Sequence, residues 1–270
     1  MAIIKKFRIK HFKKNRPIIE INNMSLSFGS KKILDNVSFK INEGQIMGLL
    51  GPNGAGKSTL MKILSGYLKA TGGEVMIAGC DPEKISLEAR ARMLGVLTQK
   101  SSLGFPFTAR EVIAMGRMPF GVSEGFDEVT EELLSMFSVA ADQSFLTMSG
   151  GEQQLVQLCR VFAQVWGRGS DAFLLLDEPM TALDLRHQSK IASTLKKLSS
   201  QGLGQLVVMH DINLAAELAD EIILMSNGKV VAKGSVLEAL KVDNLERTFD
   251  TVINQLGGGS ERYFRAELEK

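Results

Sequence analysis

The chain has 270 residues, a net charge of +2 and a hydrophobic content of 44%. That length allows one or two domains, and that apolar content excludes a disordered or fibrous chain. No run of roughly 18 apolar residues occurs, which excludes a membrane-spanning helix. Near the start only Ala2-Ile3-Ile4 forms an apolar run, too short for a secretory signal core. Cys80 and Cys159 make no disulfide framework, and both are expected to be reduced thiols. Residues 1–17 carry Lys5, Lys6, Arg8, Lys10, Lys13, Lys14 and Arg16 with no acid, so the body beyond this basic tail is net acidic. Such a tail suits anionic lipid, nucleic acid or plain solvation.

In chain order, residues 18–28 and 32–41 read as strands, the second with Ile33, Val37 and Phe39 spaced for partial burial. Asn42-Glu43-Gly44 is a turn, and residues 45–50 form a short apolar run of the kind found in buried strands. A glycine-rich loop leads into a helix over 58–68, followed by a strand at 74–78. Thr108 and Glu111 form a capping box for a helix reaching about residue 115. Further helices are expected over 126–139, 150–166, 185–201 and 212–219. Buried strands are expected at 173–176 and 206–209, and a strand pair at 221–225 and 229–232 flanks Asn227-Gly228. Residues 257–260, Gly-Gly-Gly-Ser, read as a flexible link to a charged end. Strands alternating with helices indicate an α/β fold with a mostly parallel sheet, and the strand-free stretch 101–166 reads as a helical insertion.

Gly51-Pro52-Asn53-Gly54-Ala55-Gly56-Lys57-Ser58-Thr59 fits G-x-x-x-x-G-K-[ST], between an apolar strand and a helix. Glycines let backbone N–H groups approach phosphate oxygens, and the helix adds its positive end. Lys57 suits the β and γ phosphates of ATP, and the Ser58 hydroxyl suits Mg²⁺. Asp177 and Glu178 end a buried strand, the edge at which open parallel sheets bind ligands. Asp177 suits the Mg²⁺ shell, and Glu178 suits general-base action on the attacking water.

With these residues in place, Met148-Ser149-Gly150-Gly151-Glu152 resembles the signature motif of the ATP-binding cassette family. Gln99, after Gly95-Val96-Leu97-Thr98, resembles its Q-loop glutamine. Thr181-Ala182-Leu183-Asp184 resembles its D-loop and His210 its switch histidine. Phe28 falls where the family stacks an aromatic ring on adenine. The motifs keep family order over about residues 18–235. The resemblance implies a P-loop NTPase core with a mostly parallel sheet, an antiparallel β subdomain and an inserted helical subdomain. It implies a RecA-like core at 18–100 and 167–256, a helical subdomain at 101–166, and tail segments at 1–17 and 257–270.

The resemblance also implies roles. Lys57, Gln99, Glu178 and His210 would serve hydrolysis, with Ser58, Gln99 and Asp177 around Mg²⁺. ATP would meet Phe28 and the loop Gly51 to Thr59. Met148 to Glu152 would act on the nucleotide of a second copy, so that two chains sandwich two ATP molecules, and Asp184 would also contact nucleotide. An exposed helix start at Ser149-Gly150-Gly151 would serve there as an anion site.

Three stretches, 101–117, 150–164 and 210–216, resemble the ATPases of haem importers, within the group serving ferric siderophores and vitamin B12. That branch implies a two-copy membrane permease, an indirect link to a substrate-binding protein, and a peripheral place on the cytoplasmic face of the inner membrane. It implies no direct contact with cargo or with nucleic acid. The other readings are a soluble ATPase acting on DNA or ribosomes and a nucleotide-binding regulator. Against the branch pattern, Leu155 stands where Arg is usual, Cys159 where Ala is usual and Met180 where Thr is common. No metal or haem role is expected for His11 or His187.

Overall fold

The computed structural model describes residues 17–99, 103–121, 126–258 and 262–267. The basic tail up to residue 16, with His11, and residues 259 and 260 of the expected link lie outside the described residues.

β1 (Pro17–Phe28) and β2 (Lys31–Asn42) form an antiparallel hairpin whose two-residue turn leaves Phe28 at its tip, paired with Lys31. Burial alternates along β2, as in a sheet with one face on the core. β3 (Ile46–Leu50) leads through the glycine loop to α1 (Lys57–Leu64). β4 (Gly72–Ile77) then pairs with the free edge of β1, completing a three-stranded antiparallel sheet.

α2 (Leu87–Met93) and β5 (Leu94–Leu97) follow. The helical stretch contains α3 (Ala109–Ala114), a 3₁₀ segment Met115–Phe120, α4 (Phe126–Phe137) and α5 (Gly150–Val165). Among the described residues it holds no strand, only an isolated bridge between Thr108 and Ser144. β6 (Phe173–Asp177), α6 (Leu185–Ser200), β7 (Gly204–Val208), α7 (Ile212–Leu218), β8 (Glu221–Ser226) and β9 (Lys229–Ser235) complete the large sheet. Its order is β5-β6-β7-β3-β8-β9, parallel except for β9.

The central strands are buried on both faces, which is why β3, β6 and β7 are buried at every residue and, Gln205 and the terminal Asp177 apart, carry no polar side chain rather than alternating. Successive β6 residues divide between two cores. Phe173 and Leu175 face the antiparallel sheet with Ile21, Phe39 and Leu60. Leu174 and Leu176 face α5 and α6 with Val161, Phe162 and Ile191. Each fully buried aliphatic or aromatic side chain contributes about 1.5–3 kcal/mol, so neither face is free to rotate away from the strand ends.

Three expectations need correction. The helix after the glycine loop stops at Leu64, not 68, because Gly66 sits at φ +70 and ends it. α2 and β5 were not expected as elements. The chain end is also more structured than expected: α8 (Val236–Ala239) and α9 (Val242–Phe249) precede β10 (Ile253–Leu256) and β11 (Tyr263–Ala266). The expected link joins these two strands, which pair antiparallel. β11 is docked by Asn213 of α7, whose amide donates to Phe264 O at 3.1 Å and accepts from Phe264 N at 2.8 Å.

Candidate active site

The glycine loop is shaped by what surrounds it. Gly51 has φ +153, and a Cβ there would lie 2.0 Å from Met225 O on the neighbouring strand β8. No side chain fits. The Asn227-Gly228 turn supports the loop from the other side: Gly228 N donates to Ala55 O at 3.1 Å, and Asp35 N donates to Gly228 O at 2.9 Å. α1 starts at Gly56 in a left-handed conformation with no side-chain cap. Its first N–H groups are therefore left to an anion.

Lys57 is buried, at 7% exposure. Its Nζ donates to Gly51 O at 2.6 Å and Pro52 O at 2.9 Å, so the ammonium folds back on its own loop. Burial lowers its pKa from the ordinary lysine value, against the opposing pull of Glu178 and Asp177. Ser58 Oγ lies 3.3 Å from Asp177 Oδ2. Burial first, and Glu178 second, push the Asp177 carboxyl above the usual carboxylate range. A desolvated carboxylate beside a hydroxyl is a hard oxygen pair short of positive charge, and it fits magnesium.

Glu178 leaves the end of β6 at φ +54, a left-handed conformation that costs a non-glycine residue about 1–2 kcal/mol. Its N–H donates to Val208 O at 3.1 Å. Its Oε1 meets His210 Nε2 at 2.5 Å and accepts from Gln99 Nε2 at 3.2 Å. Thr181 Oγ1 donates to Oε2 at 3.4 Å. His210 follows β7, which Met209 N ties to Leu49 O at 3.1 Å. Residues from three adjacent strands thus converge at one sheet edge. A cavity of about 210 Å³ opens beside them, lined by Gln99, Gly150, Gln154, Asp177, Glu178 and Thr181 among others.

Ser149 caps α5. Its Oγ accepts from Glu152 N at 3.3 Å and donates to Glu152 Oε2 at 2.7 Å, while Ser149 N donates to the same oxygen at 2.8 Å. The Ser149 hydroxyl and then its N–H lower the Glu152 pKa. The cap therefore places a carboxylate at the helix start expected to serve as an anion site. Gly151 packs where a Cβ would lie 2.8 Å from Ala182 O, which brings the 149–151 segment against the 181–184 loop. Asp184 caps α6 through His187 N at 2.8 Å and also meets His187 Nδ1 at 2.9 Å.

Gln99, Asp177, Glu178 and His210 are thus brought together, with Lys57 and Ser58 beside Asp177. Phe28 stands apart at its hairpin tip, 57% exposed. Met148 departs from expectation: its side chain is buried in the core, so only its backbone is left to meet a nucleotide. For three contributors sequence reasoning gives no contact with the site, although Thr181 is read as part of the D-loop. Gly228 buttresses the loop and was read only as a turn. Thr181 and Gln154 bond to Glu178, and no hydropathy signal marks them.

The family model described as "ABC transporter" matches residues 34–181. The chain belongs to the ABC transporter family. A curated relative from Photobacterium profundum, named hemin import ATP-binding protein HmuV, is 38% identical over 239 residues, covering 87% of this chain and 86% of the relative. A protein of the same name from Shewanella denitrificans is 40% identical over 236 residues, covering 86% and 93%. Among solved structures, a dimeric post-hydrolysis state of the ATP-binding cassette MJ0796 bound to ADP and Pi matches with TM-score 0.70 and 28% identity, over 81% of this chain and 98% of that one. The ATP-binding subunit of another ABC transporter matches with TM-score 0.73 at 24% identity, over 85% and 92%. The cassette fold accounts for the sheet order and for the loop, carboxylate and histidine meeting at one edge. Among the described residues no helix is long and apolar enough to cross a membrane.

Proposed function

We propose that this chain is the ATP-hydrolysing subunit of an importer for haem, working as a pair of copies on a membrane permease. The observation that carries the hydrolytic part is the Glu178 carboxylate, held by His210, Gln99 and Thr181 at the mouth of the phosphate loop. The cargo rests on the relatives named as hemin import proteins. On this reading residues 101–166 form the arm that meets the permease, and the chain sits at the cytoplasmic face of the inner membrane without touching cargo.

ATP would enter with its adenine on Phe28 and its phosphates on the loop Gly51 to Thr59. Lys57 would exchange its two loop carbonyls for the β and γ oxygens. Ser58 and Asp177, with Gln99, would hold the Mg²⁺, which supplies charge neutralisation on the phosphates. Glu178 would accept a proton as water attacks the γ-phosphorus and the bond to ADP breaks. With Nε2 facing a carboxylate, His210 would donate from that nitrogen and fix the orientation of Glu178. The helix start at Ser149-Gly150-Gly151 and the Asp184 loop would act on the nucleotide bound by the second copy.

The test is ATPase activity of the chain with its permease in liposomes, with a binding protein loaded in turn with haem, a ferric siderophore or vitamin B12. Stimulation by haem alone is expected. Stimulation by another cargo corrects the substrate and keeps the mechanism. Basal hydrolysis that no cargo stimulates rejects the importer role.

A further inference from the structure

Two neighbouring amides at the start of α5 point opposite ways. Gln153 Nε2 donates to Phe145 O at 3.0 Å and Met148 O at 3.1 Å, both in the segment that enters the helix. Gln154 Nε2 donates across to Glu178 O at 2.9 Å. That carbonyl belongs to the residue at φ +54, whose backbone is otherwise held by Val208 O at 3.1 Å and by Thr181 N donating to Glu178 O at 3.3 Å. The open cavity on this side is lined by Gln99, Gly150, Gln153, Gln154, Gln157 and Glu178. Polar bonds rather than close packing therefore connect α5 to Glu178 there.

We propose that Gln154 is a positioning residue for hydrolysis, its side-chain amide tying the start of α5 to the Glu178 peptide. The inference rests on the reading above, because only in a two-copy arrangement does the start of α5 face the other nucleotide. In that arrangement a ligand on Ser149-Gly150-Gly151 of one site bears, through Gln154, on the base of the other. The bond is short enough that a shift of about 1 Å in α5 breaks it. A misplacement of that size at a reacting group costs about 100-fold in rate.

The purified chain tests this by steady-state hydrolysis over a range of ATP concentrations. Gln154→Met keeps the side-chain length and removes the donor. It should lower kcat roughly 10- to 100-fold with KM within about twofold, and bring a Hill coefficient above one down towards one. Gln153→Met, which cuts only the local bonds, should keep both the Hill coefficient and most of kcat. Gln154→Lys, which restores a donor, should recover part of the rate. Thermal melts run alongside, and if Gln154→Met melts low the comparison of Gln154→Lys with Gln153→Met decides. Unchanged kcat and cooperativity in Gln154→Met overturn the proposal, as does an equal loss in Gln153→Met. If instead the wild type shows no cooperativity and Glu178→Gln forms no ATP-dependent dimer, the two-copy reading itself fails and takes this inference with it.

Discussion

Replacing Glu178 by Gln removes one proton acceptor and almost nothing else. The amide oxygen can still accept from His210 and Gln99, now 2.5 and 3.2 Å from Oε1. The amide NH₂ takes the place of Oε2, and the Thr181 hydroxyl, at 3.4 Å, can turn to accept from it. Volume and the backbone bonds to Val208 and Gln154 are unchanged, so the folded state should lose less than about 1 kcal/mol. General-base action is worth about 10²- to 10⁴-fold in rate. At 1.36 kcal/mol per tenfold, that is about 3–5 kcal/mol of barrier. The assay is phosphate release at saturating Mg²⁺-ATP, with gel filtration in ATP alongside. kcat should fall by at least about 100-fold while the variant elutes as an ATP-dependent dimer that wild type dissipates. A kcat within about threefold of wild type would refute Glu178 as base, since loss of the acceptor would then have cost under 1 kcal/mol.

Three further outcomes follow from the same geometry. Asp177 is held above the usual carboxylate range by burial and by Glu178. Its contribution to stability is complete below its unfolded pKa and is lost as pH rises through the raised value. At neutral pH and without nucleotide, Asp177→Asn should therefore raise Tm, by about 2–4 °C for each kcal/mol relieved, while Mg²⁺-ATP stabilises it less than wild type; a lowered Tm without nucleotide would count against the argument. Phe28→Ala removes a ring that is 57% exposed. It should raise KM for ATP about 2- to 10-fold, the equivalent of one aromatic stack, with Tm and kcat little changed; an unaltered KM removes Phe28 from the adenine site. Gly51→Ala puts a Cβ 2.0 Å from Met225 O at φ +153. It should cost at least about 3 kcal/mol, or roughly 6–12 °C in Tm; a normal melting curve would show that the loop relaxes freely.

How much of this is legible in sequence depends on how locally each feature is determined. The glycine loop is legible because its conformational demands fall on consecutive residues. β3, β6 and β7 are legible because two-sided burial makes each a short, almost wholly apolar run, broken only by Gln205 and the terminal Asp177. β5 is not. It has four residues, and one of them, Gly95, is small because a Cβ there would come within 2.9–3.1 Å of Leu174, Val165 and Val161. Its composition records the approach of α5 rather than strand propensity. β10 and β11 are hidden for a related reason: a glycine-rich stretch reads as flexible, whereas the docking that orders the pair comes from Asn213, 51 residues before Phe264. At the site, motif spacing singled out Gln99, Glu178 and His210, which the structure brings together at one sheet edge, and Ser58 beside Asp177. It missed Gln154, whose partner is a backbone carbonyl and leaves no trace in residue type. It also overreached at Met148, where the motif position is right and the side chain points to the core.

Leu155 illustrates how a motif departure has to be weighed by where the side chain lies. The branch usually carries Arg there, which would put a cation one turn into the signature helix. In this chain Leu155 is 4% exposed and packs in the core with α3, α4 and α5, so the exchange converts charge into buried apolar area. The cost falls on electrostatics. The same helix start carries the Glu152 carboxylate, bonded to the Ser149 hydroxyl and N–H. With no cation at 155 to offset it, attraction for a phosphate at Ser149-Gly150-Gly151 rests on backbone N–H groups and the helix dipole, the latter about 0.3–1 kcal/mol for an exposed terminus. On the proposed reading a γ-phosphate arriving there would meet a carboxylate that already satisfies Ser149. In the proposed two-copy arrangement the two anions would compete for the Ser149 donors, and closure around ATP would have to reorganise this cap. Gln153 and Gln154 flank it and point to the entering segment and to Glu178 respectively. On the proposed reading a rearrangement at the cap would reach the Glu178 peptide of the same chain through Gln154.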